Sequence, residues 1–501
     1  MLLKSLRRRA GTALAISTAL TLLLAGAAQA ATIEVNSSID PTDGANCTLR
    51  QAIENAGKND QTNPSCAAGT GADTITFNNS LVGDTITLSS QLLISPTTQG
   101  TLTIQGPGAD ALDVSGGDSS RVFHIAFAAA QTANAVTIHG LTISNGSVTN
   151  ANGGGIFNEG SLTLDGDVVS DNTATASSTG GTTNQATALG GGIESSPALL
   201  NVSHSQIVGN QVMSTATGGS TSNTATALGA GIHAAGGGGG ILNIDRSSIY
   251  DNTATSTASG TGAQAIAEGG GVWLSAGAQH SIISSTIANN TLTAGGTGAS
   301  TQEAGGGVEA NITAMGAFPA DLRDDTVTGN DAAKTGANLA AAAGSSGLTI
   351  GNTIVADPSG GANCSAVTSL GHNLADDASC SPDGTTDLPG TDPSLLPLAD
   401  YGGSSLTRPP DVGSPAIDAG FSEFTTDQRD LTRPFDFTNI PNASGGNGTD
   451  IGAVEIQAPA VVPEPTPPTQ PPPAQPTKKK CKKGKKRAAS AKKKKCKKRK
   501  K

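Results

Sequence analysis

Two acidic stretches carry the residues best equipped for chemistry: "LDGD", with Asp165 and Asp167, and "DLRDD", with Asp321, Asp324 and Asp325. Glycoside hydrolysis runs on two carboxylates roughly 5–9.5 Å apart. Lyase chemistry on a sugar-acid polymer instead sets a carboxylate-held calcium beside Arg or Lys, which stabilises the developing charge. The cations in the same part of the chain are Arg121, Arg246, Arg323 and Lys334, scattered over unrelated places. The histidines, at 124, 139, 204, 233, 280 and 372, share no spacing suited to a metal or a triad. No serine sits in G-x-S-x-G with a matching acid and histidine. Trp273 is the one tryptophan, and Tyr250 and Tyr401 are the two tyrosines, so aromatic platforms for sugar are scarce. Because Trp273 follows the core aliphatic Val272, it is expected at the surface, packing a coil edge. Both acidic stretches read first as turns, and no catalytic residue is assigned.

What positions these residues is a repeat. "GGGIFNEGSLTLDGDVVSDN" begins at Gly153 and recurs in altered form at Gly190, Gly229, Gly269 and Gly305. The aliphatics Ile156, Ile193, Ile232, Val272 and Val308 lie 37, 39, 40 and 36 residues apart. A period of 20–50 residues marks a solenoid, propeller or array. Each unit holds three short, β-branched apolar pieces, and "SLTL" and "LLNVS" alternate with period two, so the pieces are strands. Three strands per coil give an all-β, parallel β-helix. A propeller blade needs four strands and usually an aromatic signature, in a chain with 2% aromatics.

Glycine triplets supply the sharp turns. Asn172, Asn210, Asn252, Asn290 and Asn330 end equivalent pieces, and asparagine tolerates the left-handed conformation. Stacked in register, their amides are expected to bond as a ladder. The Thr/Ala/Gly-rich stretches that follow, such as "TATASSTGGTTNQATA", have little to bury and are expected to project as loops from one edge.

The ends differ from the middle. Residues 1–30 have a basic start, an apolar run and "AQA", the pattern of a secretory signal peptide, so the mature chain is expected outside the cell, with no transmembrane helix. Export permits disulfides, and the cysteines form local pairs: Cys47 with Cys66 and Cys364 with Cys380 near the solenoid ends, and Cys481 with Cys496 in the tail. Of 30 basic residues, 4 lie in 1–30 and 17 in 478–501, which leaves 9 against all 40 acidic ones, a body at −31. A proline-rich linker (458–477) separates that body from the lysine-rich tail (478–501). Such a tail cannot fold by burial. It is suited to an anionic wall polymer or other anionic surface. It lacks base-reading residues, so sequence-specific nucleic-acid binding is not expected.

"CTLRQAI" (47–53) resembles the Cys-Ser-Leu-Arg-Glu-Ala motif found near the mature N-terminus of bacterial surface proteins, departing at Thr48 and Gln51. "GSPAIDAG" (413–420), "DQRDLTRP" (427–434) and "DIGAVE" (450–455) resemble the choice-of-anchor Q domain. The glycine repeats are similar to those of chlamydial polymorphic outer-membrane proteins. The resemblance implies a secreted, surface-associated right-handed β-helix without catalytic residues. The division expected is an N-terminal cap and first coils (31–135), repeats (136–357) and a C-terminal cap (358–457). In that cap Asp427, Arg429, Arg433, Asp450 and Glu455 read as a structural network of arginine–carboxylate pairs. Calcium is the alternative occupant there; no other cofactor is expected. The functional expectation is a non-catalytic, adhesin-like surface protein held by its tail. The alternative is a carbohydrate-active enzyme, with polysaccharide as partner.

Overall fold

The structure, a computed structural model, describes residues 30–457 apart from 43, 96–99, 128–134, 236–239, 276–278, 314–317, 346 and 381–384. The stretch expected to be a signal peptide, up to residue 29, and the expected linker and tail with Cys481 and Cys496 lie outside the described residues.

Among the described residues the strands form five sheets, and every paired strand in them is parallel. Three sheets, of eleven, eleven and nine strands, wrap a common interior. One middle coil visits them in turn: Ile156–Asn158 in the third sheet, Ser161–Asp165 in the first, Val168–Ser170 in the second. Identical positions stack from coil to coil, as in Ile156, Ile193, Ile232, Val272 and Val308. Their side chains are fully buried. The fold is a right-handed parallel β-helix.

The Thr/Ala stretches do not project as loops. They are strands, Thr173–Thr179 and Thr183–Leu189 in one repeat, Gln211–Thr217 and Ser222–Leu228 in the next. They stack into two further sheets, of five and four strands. Threonine and alanine alternate, so Ala174, Ala176, Ala186 and Ala188 face inward while the threonines face solvent. The side chains are too small to demand a thick core, yet two alanine faces close on one another and form a separate dry cluster. Ser256 ties the layers, donating to Ala225 O (2.8 Å) and accepting from Ile266 N (3.1 Å). Low complexity here is a period-two pattern written with the smallest apolar residue.

The corners are polar and buried. Asn172, Asn210, Asn252, Asn290 and Asn330 form a continuous column. The amide of Asn210 donates to Asn252 Oδ1 (3.0 Å), Asn252 to Asn290 (2.9 Å) and Asn290 to Asn330 (2.9 Å). The column continues through Asn338 to Asn363. The left-handed turn falls one residue earlier than expected, on Asp171, Gly209, Asp251, Asn289 and Gly329. The ladder asparagine itself points inward. Only the first glycine of each triplet turns left-handed, Gly190 at φ 61° for example. The third is small for packing: a Cβ on Gly192 would stand 2.9 Å from Asn210 Cγ.

The N-terminal cap contains one helix, α1 (Leu49–Lys58), inside the "CTLRQAI" stretch. Thr48 and Gln51, the two departures from the resembled motif, close a capping box: Thr48 Oγ1 accepts from Gln51 N and Gln51 Oε1 from Thr48 N. Cys47 and Cys66 are bonded beside it. Cys364 and Cys380 are bonded at the other end of the third sheet.

The C-terminal part is not simply an end plug. After Leu388–Pro389 the chain folds back along the outer face of the second sheet as an irregular clasp. Asp430 reaches back to His204 and Arg246. Its apolar contacts, through Ala416 and Ile451, fall on Ile354 and Leu374.

Replacing Asn252 with Leu removes the acceptor for Asn210 N and Nδ2 and the donor to Ile207 O and Asn290 Oδ1. Each orphaned buried group costs about 1–3 kcal/mol, so urea unfolding of Asn252→Leu should show a loss of at least ~2 kcal/mol; an unchanged midpoint refutes a stabilising ladder.

Candidate functional site

The acidic stretches were the first candidates, and the structure places them in a second ladder. This column runs along the corner between the first and second sheets, five residues before each ladder asparagine. Leu141 N donates to Asp167 Oδ1 (2.8 Å), Asp167 N to Ser205 Oγ (3.0 Å), Ser205 N to Ser247 Oγ (3.1 Å) and Ser247 N to Ser285 Oγ (3.1 Å). It continues from Ser285 N to Asp325 Oδ1 (2.8 Å), and from Thr353 N to Asn373 Oδ1 (3.0 Å). Asp167 and Asp325 are therefore buried backbone acceptors. Burial pushes the Asp167 carboxyl up to about 8 and Asp325 well above its ordinary range. Asp165 accepts from Ser203 and lies against His204 (3.1 Å) and His139 (3.2 Å). Asp321 is paired with Arg323, and Asp324 with Arg433. Neither stretch presents two free carboxylates.

The cations are likewise engaged. Arg121 donates to Gly153 O, Asn152 O and Gln91, over the Phe157 ring. Arg246 holds Asp245 and Asp430, and Lys334 holds Thr301 O.

A row of titratable and aromatic groups escaped the sequence reading. The residue after each anchoring aliphatic stacks on the outer side of the third sheet: Phe157, Glu194, His233, Trp273 and Glu309. Trp273 is buried, not exposed. It does face out from the solenoid, but Glu268, at the end of an alanine-layer strand, folds over it and accepts its Nε1–H (3.1 Å). His233 stacks on it, centroids 4.6 Å apart. One histidine of this row meets an acid: His233 Nδ1 lies 2.6 Å from Glu194 Oε2. The two atoms are off-line for a hydrogen bond and form an ion pair when the imidazole is protonated. Glu309 Oε2 has no hydrogen-bond partner, and burial with nearby Glu268 pushes this carboxyl up to about 8. The signal was available at repeat spacing, one residue past each anchor. These groups have acid–base character but are sealed from substrate.

The clasp brings Asp427, Arg429, Arg433, Asp450 and Glu455 together. Arg433, fully buried, donates to Glu455 Oε2 (3.0 Å), Asp324 Oδ1 (2.8 Å) and Gly452 O (2.6 Å). Asp427 receives Arg429 and the N–H groups of Leu431 and Glu455. Asp450 accepts from Asp418 N and Ile456 N; burial, then the Glu455 charge, raise it to about 7. Gln428, unnoticed in the sequence, donates to Ser247 O, Ser405 Oγ and Leu406 O and accepts from Thr286. The carboxylate oxygens point at these donors rather than at a shared cation position, against the calcium reading. Among the described residues no group of three or more His, Cys, Asp or Glu is placed to hold a metal.

Two concavities flank the clasp. One, about 590 Å³, runs over the open part of the second sheet and is lined by Asp110, Val168, Gln206 and Asp400. The other, about 450 Å³, lies where the end of the strand Ala320–Arg323, carrying Asp321 and Arg323, meets Leu370, His372, Phe421 and Phe424.

No family model matches the sequence, and no curated protein matches it. Among solved structures the chain is similar to one described as the crystal structure of pectate lyase Pel9A, at 13% identity and TM-score 0.36, over 86% of this chain and 97% of that one.

Removing the Arg433 guanidinium leaves Asp324 and Glu455 as unpaired buried charges. Breaking such a pair costs about 3–5 kcal/mol, so Arg433→Met should lower the unfolding midpoint and open the clasp to limited proteolysis; a protected clasp contradicts its role. Glu309 gives a pH signature. Below its ordinary value of 4.5 both states are protonated; up to about 8 the folded state holds the extra proton, and stability falls as pH rises. The slope approaches ~1.4 kcal/mol per pH unit. Relative to Glu309→Gln, the unaltered chain should lose stability from pH 5 to 8 and then level off. Parallel curves for the two refute it.

Proposed function

We propose that this chain is an exported, non-catalytic β-helix that presents binding surfaces and is held near the cell by residues 478–501. One observation carries the non-catalytic part: the candidate carboxylates are engaged, Asp167 and Asp325 as corner-ladder acceptors, Asp321 and Asp324 by arginine, and Asp165 by Ser203, His139 and His204. A carboxylate so engaged cannot turn to protonate a glycosidic oxygen without breaking the corner. The resemblance of "CTLRQAI" and of the clasp motifs to the surface families named above supports surface association. The charge break from a body at −31 to +17 within 24 residues supports retention by charge.

Purified protein incubated with a polysaccharide panel should release neither unsaturated nor new reducing ends; their appearance sinks the reading. Salt shortens the reach of charge from about 10 Å at 0.1 M to about 3 Å at 1 M. The full chain should therefore leave cells or wall preparations as salt rises, and a chain ending at Thr477 should not bind. Retention at 1 M salt, or by the shortened chain, places the anchor in the body or in a covalent link.

A further inference from the structure

The 450 Å³ concavity sets two phenylalanine rings beside charged and polar groups. Phe421 and Phe424 are 45% and 37% exposed, and both line it. Their backbone is fixed: Phe421 N donates to Asn352 Oδ1 (3.1 Å), Phe424 N to Ser422 Oγ (3.1 Å), and Asn447 holds Ser422 O (2.8 Å). Exposed rings on a rigid wall present apolar faces without an ordering cost on binding.

The polar groups opposite are equally fixed and only half used. Arg323 Nε donates to Asp321 Oδ1 (2.8 Å), which Thr349 also holds (2.9 Å). Gly351 lies directly beneath the guanidinium, leaving it room to lie flat. Among the described residues neither terminal nitrogen of Arg323 has a hydrogen-bond partner. His372 Nδ1 donates to Ala419 O (3.2 Å), which fixes its ring beside Phe421 and leaves Nε2 an acceptor. The concavity thus offers donors from Arg323, acceptors from Asp321, His372 and Glu423, and two apolar faces.

We infer that this concavity binds a neutral hexopyranose unit of a glycan, a ligand class that rests on the binding role proposed above. A pyranose ring has apolar C–H faces for the phenylalanines and hydroxyls that both donate and accept. Uronic acids fit less well: Asp321 cancels Arg323, Asp324 is neutralised by Arg433 behind the wall, and Glu423 leaves the rim negative.

The test uses the full chain with cellohexaose, maltohexaose, laminarihexaose and chitohexaose, and hexagalacturonate as the acidic control, read by calorimetry and saturation-transfer NMR. At least one neutral series should bind. Phe421→Ala with Phe424→Ala should weaken it more than tenfold, and Arg323→Gln severalfold, with melting midpoints unchanged. Binding that survives both variants puts the glycan elsewhere and overturns the inference. So does preference for the galacturonate, or no binding to any sugar while an apolar peptide or protein binds through the phenylalanines. Chain-length analysis of the same samples keeps the two readings apart: a cleaved glycan refutes the non-catalytic reading, whereas a bound, intact one leaves it standing.

Discussion

The backbone N–H groups at the corners are the constraint on which this molecule depends. A coil must bend sharply between its sheets, and at a bend the N–H and C=O groups leave the strand ladder while still facing the interior. An unpaired buried N–H costs about as much as a lost hydrogen bond, and the bend recurs in every coil. Both corners flanking the second sheet use the same device. A left-handed residue turns the chain, and the next residue sends a short polar side chain inward to accept the N–H of the coil before it. Asn210 receives Asn172 N in one column and Ser247 receives Ser205 N in the other. Asparagine suits the first because its amide both accepts and donates. Serine suits the second because its hydroxyl also returns to its own corner, as Ser247 does to Asp245 O.

The columns set much of the rest. They leave no room for a Cβ on the third glycine, so the triplets are as much a packing requirement as a turning one. They draw in carboxylates where a coil has Asp instead of Ser, which is why Asp167 and Asp325 are buried and proton-rich. They also leave the outer faces free for other uses. The third sheet's outer row is closed by Glu268 and the alanine layers, and the second sheet's by the clasp through Gln428 and Arg433. Concavities remain open over the first part of the second sheet and at the joint around Phe421 and Phe424.

Period, strand type and stacking were legible in residues alone, because the same apolar position recurs at each coil and β-branched residues cannot be anything but strand at that spacing. The asparagine column was legible for the same reason, and the five clasp residues through their short motifs. The second column was present in the text, five residues before each asparagine, but it is written with Asp, Ser and Thr, which read as ordinary turn chemistry. The alanine layers were misread because composition hid the alternation: threonine and alanine differ too little in hydropathy to announce an inside and an outside.

By itself, then, the sequence determined the coil, its register and the polar residues at its corners, since these depend on local backbone geometry repeated at a fixed interval. Only the tertiary structure decided which outward-facing residues are surface. Trp273 occupies an outward position by any count along the strand, and it is buried because Glu268, at the end of an alanine-layer strand, lies over it. Phe421 and Arg323 are about 100 residues apart and share a concavity because the clasp turns back along the second sheet. Which segment folds over an outward face is a property of the folded path, and no periodicity in the chain encodes it.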